Sequence, residues 1–147
     1  PSDKKERRDV LEELKDETRT IVIYEAPHRL LRTLEELLEA LGDRQVSVCR
    51  ELTKKHETVY RSTLEEACAY YKAQEPRGEC VLVIRGKSRE ELRRQSQKKW
   101  EEMSLEEHMA YYTDQGVERK EAMKKVAKDR GVSKREIYQA LLQREEE

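Results

Sequence analysis

The sequence lacks any apolar run long enough to cross a membrane or to form the core of a secretion signal, so a soluble, cytoplasmic protein is expected. Cysteine is scarce. Cys49, Cys68 and Cys80 stand 19 and 12 residues apart, a spacing that fits neither a metal knuckle nor a CxxC redox pair. Each falls in an apolar-patterned segment, so the three read as buried, reduced core residues. His56 has no second ligand at metal spacing, no Ser/His/Asp or Cys/His arrangement is evident, and no metal is expected. There are five glycines, at 42, 78, 86, 116 and 131, and none cluster. A surplus of one charge sign is missing too: 31 Lys and Arg face 32 Asp and Glu, leaving a net charge of −1 that says little about partners. The chain opens Pro1-Ser2-Asp3 without an initiator Met, and is expected to be a processed product or a fragment.

What is present is a chain of 147 residues, 35% apolar and 43% charged, enough for one ordinary domain or two small ones under a heavily charged surface. Residues 4–15 predict a short charged helix with one apolar edge at Val10, Leu11 and Leu14. Residues 20–24 form a β-branched run with no polar face, which predicts a strand buried on both sides. Pro27 stops it and starts a helix whose stripe of Leu30, Leu31, Leu34, Leu37, Leu38 and Leu41 ends at Gly42. Residues 45–49 and, more weakly, 57–61 predict two further strands. Thr63 and Glu66 form a capping box for a helix carrying Leu64, Ala67, Cys68 and Tyr71. Residues 79–85 predict another buried strand after the turn at Pro76-Arg77-Gly78.

Beyond Gly86 no strand signal recurs. A charged helix with almost no apolar stripe begins at Ser88 and reads as a linker. Ser104 to Glu107 is a further capping box, and Gly116 and Gly131 divide the remainder into three helices. The expected organisation is an α/β subdomain over residues 1–90, a linker helix over 91–103 and a small helical tail over 104–147. Ala127, Gly131 and Ile137 have the spacing of a helix-turn-helix: a small residue for close approach, glycine for the tight turn, a β-branched residue to lock the second helix. Residues 117–135 hold eight Lys and Arg against three acids, a basic concentration suited to a phosphate backbone. The second helix opens with Lys134, Arg135 and Glu136 rather than with base-reading side chains, which favours backbone contact.

Three polar segments stand at predicted strand ends, where ligands collect in open α/β sheets. They are Tyr24-Glu25-Ala26-Pro27-His28-Arg29, then Arg50-Glu51-Leu52-Thr53-Lys54-Lys55-His56-Glu57, then Arg77-Gly78-Glu79. Each gathers charge where a neutral turn would serve. In this order, and with Lys134-Arg135-Glu136-Ile137-Tyr138 in the tail, they resemble the second half of the bacterial 16S ribosomal RNA cytidine-2′-O-methyltransferases, a family of the tetrapyrrole-methylase fold.

That resemblance implies an α/β fold with a mixed sheet of about four to five strands and flanking helices, followed by the three-helix tail. It implies S-adenosylmethionine as cofactor, bound in a cleft shared with an amino-terminal domain whose Gly-x-Gly-x-Gly-Asp loop this sequence lacks. Tyr24, Glu25, Leu52, Thr53, Glu79 and Cys80 are the implied cofactor-facing residues. Glu25, Glu51 and His56 are candidate proton acceptors, unranked by the sequence. Arg29, Arg50, Lys54 and Lys55, with Lys124, Lys125, Lys128, Lys134 and Arg135 of the tail, are candidates for holding RNA phosphate. The implied partners are 16S ribosomal RNA or the small ribosomal subunit and the missing amino-terminal domain. The family commonly pairs as dimers, so a homodimer is the implied assembly. The competing readings are a corrin or porphyrin methyltransferase of the same fold and a nucleic-acid-binding regulator with a helix-turn-helix tail.

Overall fold

A computed structural model describes residues 1–146. It divides into two compact units, Pro1–Arg89 and Glu90–Glu147.

In the first unit α1 (Lys4–Leu14) is followed by β1 (Ile21–Glu25), a single 3₁₀ turn over Pro27–Arg29, and α2 (Leu30–Leu41). Then come β2 (Gln45–Arg50), β3 (Thr58–Thr63), α3 (Leu64–Ala73) and β4 (Cys80–Ile84). Asp3 caps α1 by accepting from the amides of Lys5 and Glu6. Thr63 and Glu66 form the anticipated reciprocal box at the start of α3. The helix expected from Pro27 is tighter in its first turn and becomes α-helical only at Leu30.

The four strands lie in the order β1-β4-β2-β3. All three pairings are antiparallel, so the mixed sheet of the sequence reading becomes a purely antiparallel one within the α/β class. One face is covered. Ile21, Leu82, Ile84, Val46 and Val48 pack there against Leu30, Leu34, Leu37 and Leu41 of α2 and Leu64, Ala67, Cys68 and Tyr71 of α3. The opposite face is open, which corrects the expectation for β1: Val22 is exposed and Tyr24 is 82% exposed. An apolar run cannot distinguish a strand covered on both faces from one whose outer row is left uncovered.

The second unit contains α4 (Arg89–Glu101, its first residue shared with the boundary), α5 (Leu105–Thr113), α6 (Arg119–Arg130) and α7 (Lys134–Glu145). Leu105, Met109, Ala122, Val126, Ala127, Ile137 and Leu141 make its core. Gly131 takes the left-handed conformation (φ 67°) that ends α6 and turns the chain into α7, which Ser133 and Glu136 cap. Beneath this lies a polar network that sequence reading missed. His108 is fully buried. Its Nδ1 accepts from Arg130 Nε (2.9 Å) and its Nε2 lies 3.0 Å from Asp129 Oδ2, which also accepts from the Tyr112 hydroxyl. An acceptor at Nδ1 makes Nε2 the protonated nitrogen. Arg130 also donates to the carbonyls of Trp100 (3.2 Å) and Met103 (2.7 Å), and the Trp100 ring stacks on His108 at 4.4 Å. The end of α4 thereby packs onto the helices that follow it.

Candidate functional site

Strand register brings the polar segments together. Cys80, the first residue of β4, pairs with Glu25, the last of β1, and with Arg50, the last of β2. Three chain reversals therefore crowd one end of the sheet. Between them opens a cleft of about 450 Å³, lined by Tyr24, Glu25, Ala26 and Arg29 from the first segment, Glu51, Leu52 and Lys54 from the second, and Glu79, Cys80 and Val81 from the third.

Each wall is held by identifiable contacts. Glu25 is 8% exposed at its side chain. Its Oε1 accepts from the Ala26 amide (2.8 Å) and faces Arg29 Nε at 3.4 Å, and its Oε2 accepts from the Thr33 hydroxyl (2.6 Å). Thr33 Oγ1 accepts in turn from Arg7 Nη2 (3.0 Å), and Arg7 grips Glu36 through Nε and Nη2 at 2.9 and 2.6 Å. Burial opposes ionisation of Glu36, yet hydrogen bonds from Arg7 and Arg32 hold its carboxyl below the usual range. Both Glu25 oxygens are engaged, so that carboxylate anchors the first wall.

The second wall is conformationally costly. Glu51 (φ 52°) and Thr53 (φ 65°) are left-handed non-glycine residues on either side of Leu52. Such backbone costs about 1–3 kcal/mol per residue and clusters at ligand sites. The turn is held by the Glu51 amide on the Glu79 carbonyl (3.3 Å), the Lys54 amide on the Glu51 carbonyl (3.0 Å), and the Thr53 amide on Glu57 Oε2 (2.9 Å). Leu52 is left 40% exposed. The Glu51 carboxylate lies where a Cβ on Gly78 would stand, and Gly78 itself has φ 77°. Glycine at 78 is required by its backbone, whereas the carboxylate beside it is the end of a flexible side chain that can swing aside. On the third wall, burial pushes the Cys80 thiol up despite nearby Arg50, so it stays protonated and weakly nucleophilic.

The candidates named from sequence fall into groups. Tyr24, Glu25, Leu52, Glu79 and Cys80 line the cleft, joined by Arg29 and Lys54, which were grouped with RNA contacts. Arg29 is paired with Glu25, and Lys54 with Glu51 at 3.3 Å. Thr53 is outside the lining and shapes the turn through its backbone. Arg50 donates to the Arg77 carbonyl (3.3 Å), tying the second segment to the third. Lys55 and His56 are exposed and outside the lining. Ala26 and Val81 were missed as lining residues, and Thr33 as the anchor of Glu25. Val81 lies in the continuous apolar run of β4, which carries no sign that its side chain faces a cleft. No motif marked Thr33.

In the tail, Lys124 pairs with Glu121 (2.6 Å) and Lys125 lies 5.7 Å over the Tyr112 ring. Lys128 is exposed. Lys134 and Arg135 line a separate groove between the starts of α6 and α7.

The chain is similar to known proteins over most of its length. Residues 1–68 match the profile of the tetrapyrrole (corrin/porphyrin) methylases. A Bacillus subtilis protein named ribosomal RNA small subunit methyltransferase I is 46% identical over 137 residues, covering 93% of this chain and 47% of the relative. Relatives of the same name from Halalkalibacterium halodurans and Synechocystis are 45% and 39% identical, covering 94% and 95% of this chain and 47% and 48% of theirs. The chain thus spans about half the length of the curated relatives it matches. By that similarity the chain is a homologue of one half of the proteins named ribosomal RNA small subunit methyltransferase I, with its first 68 residues matching the tetrapyrrole methylase model.

Proposed function

We propose that this chain is the carboxy-terminal half of an S-adenosylmethionine-dependent methyltransferase that modifies the 2′-hydroxyl of a cytidine in 16S ribosomal RNA. The observation that carries the reading is the convergence of three separate polar segments on one cleft of about 450 Å³, one wall of which contains two left-handed non-glycine residues. Supporting it is the similarity to proteins named for small-subunit ribosomal RNA methylation. On this reading residues 1–90 are the methylase subdomain, 91–103 join it to the tail, and 104–147 contact RNA. The reaction is placed in the cytoplasm; no helix among the described residues is long and apolar enough to cross a membrane.

The lining fits half of such a cofactor. Tyr24, Leu52 and Val81 offer apolar surface to an adenine ring or methionine chain, and Glu25, Glu51 and Glu79 place negative charge near a cationic ligand. No glycine-rich cradle is present, so the opposite wall is assigned to the half that the relatives possess beyond this chain. The bound cofactor supplies the methyl group. The chain's own residues position it and keep water from one side. Among the candidate acceptors, Glu25 is fully engaged by donors and His56 is off the wall. Glu51, paired only with Lys54 among the described residues, is the carboxylate placed to take the hydroxyl proton. Arg50 serves the architecture through Arg77, leaving Lys55 and the tail cations for phosphate. A homodimer is part of the proposal, and sedimentation of the longer protein reads it directly.

Joined to the half the relatives carry, the protein should transfer a labelled methyl group to small ribosomal subunits. Leu52→Asp should weaken S-adenosylhomocysteine binding by roughly tenfold or more, whereas Lys55→Ala leaves it unchanged. The chain alone should show no micromolar site by calorimetry. Full cofactor affinity in the Leu52→Asp protein would remove the cleft from the mechanism.

A further inference from the structure

The groove in the second unit has a composition that the methyl-transfer reading does not use. It encloses about 650 Å³ and is lined by Lys120, Met123, Lys134, Arg135 and Tyr138 together with Glu118 and Arg119. Tyr138 is 53% exposed. The other tyrosines of this unit, Tyr111 and Tyr112, pack on each other and on Trp100, while Tyr138 makes no ring contact among the described residues. Most nearby cations are already committed. Arg119 pairs with Glu145, Lys124 with Glu121, and Arg130 is spent inside the His108 network. Lys120, Lys134 and Arg135 form no ion pair among the described residues. An uncovered aromatic face, a polarizable Met floor and three uncommitted cations thus share one shallow groove.

We infer that this groove binds an unpaired nucleotide of RNA, its base stacked on Tyr138 and its flanking phosphates held by Lys120, Lys134 and Arg135. The inference rests on the reading of the tail as RNA-contacting and deepens it. Charge complementarity selects a polyanion. The aromatic face selects among polyanions, because bases inside a duplex are stacked on one another and offer no free π-face. A-form RNA also hides its base edges in a deep, narrow groove that a helix cannot enter, so a helical module reads unpaired nucleotides instead. The helix-turn-helix geometry is thus put to a use other than duplex reading. The groove is lined from the starts of both α6 and α7 rather than from α7 alone.

The test uses the full chain and a fluorescein-labelled eight-nucleotide single strand of RNA, against a hairpin RNA of equal charge. A second strand carrying 2-aminopurine reports stacking by quenching. We expect salt-sensitive binding that favours the single strand, with quenching on binding. Tyr138→Ala should weaken single-strand binding roughly tenfold and abolish the quench, while Tyr138→Phe retains both. Lys134→Ala should lower the slope of log affinity against log salt by about one and spare the quench. Unchanged Trp100 emission in each variant establishes that the unit remains folded. If Tyr138→Ala binds within twofold of the parent while Lys134→Ala still lowers the salt slope, stacking is overturned and the RNA-contacting tail stands. Equal preference for the hairpin also overturns the inference. If no RNA binds at low salt, the tail reading falls with it, while the cofactor cleft is judged separately by Leu52→Asp.

Discussion

Replacing Gly78 by Ala should destabilise the first unit by about 1–3 kcal/mol, a cost with a large backbone part and a smaller steric part. The backbone part is the price of a Cβ at φ 77°, about 1–2 kcal/mol for an L-residue in the left-handed region. The steric part is small, because the Glu51 carboxylate that occupies the position of the new methyl group is the end of a flexible side chain and can swing aside at the expense of its Lys54 ion pair. Loss of that surface pair costs at most about 1 kcal/mol. Glu51→Ala alone removes an ion pair with the 57%-exposed Lys54 side chain and should cost under about 1 kcal/mol. In the double variant the clash is gone and the backbone strain remains. The two substitutions should therefore couple by about 0.5–1 kcal/mol in a double-mutant cycle. Urea denaturation read by hydrogen exchange at the β4 amides follows the first unit. Trp100, the only tryptophan, lies in the second unit and should report an unchanged transition. Additive effects of the two substitutions would show that Glu51 does not rest on Gly78.

Leu34→Ala or Leu37→Ala, each at a fully buried position between α2 and the sheet, should cost about 2–5 kcal/mol in the same exchange assay. Arg130→Met should lower the Trp100-detected stability of the second unit by about 2–4 kcal/mol, because His108 Nδ1 and the carbonyls of Trp100 and Met103 lose their donor. In an alkaline absorbance titration, Tyr71 and Tyr112 should ionise only near pH 12: burial raises both, and for Tyr112 the hydrogen bond to Asp129 adds to it. Glu36 gives a stability term of opposite pH sense. Its folded pKa is depressed, so the contribution is present above the ordinary carboxylate value of 4.5 and is lost as pH falls through the folded value. Arg7→Met should flatten that acid limb of the stability curve.

Much of this fold is written in periodicity and punctuation. The leucine stripe of α2, the capping boxes at Thr63 and Ser133, and the glycine stop at Gly131 are local signals with local causes, and each is realised. The convergence of the three polar segments was anticipated through a resemblance, and the physical reason became visible only in the register that pairs Cys80 with both Glu25 and Arg50. Other features left no trace in the residue string. Left-handed backbone at Glu51 and Thr53 has no compositional marker, since glycine would be the expected occupant. Burial of His108 depends on partners at Asp129 and Arg130, 21 and 22 residues away, that no helical pattern connects. The basic count over residues 117–135 overstated the available charge because Arg119, Lys124 and Arg130 are consumed by internal partners.

The shared register of Cys80 has a consequence for how such a protein can change. Sliding β4 by a single position against β1 and β2 would send Leu82 and Ile84 to the open side while Val81 and Val83 turned inward. The ligand wall and the hydrophobic interior would fail together. Length variation is therefore tolerable only outside the paired residues, in the reversals that join the strands. Those reversals can be reshaped to suit a different ligand while the paired strands keep their register.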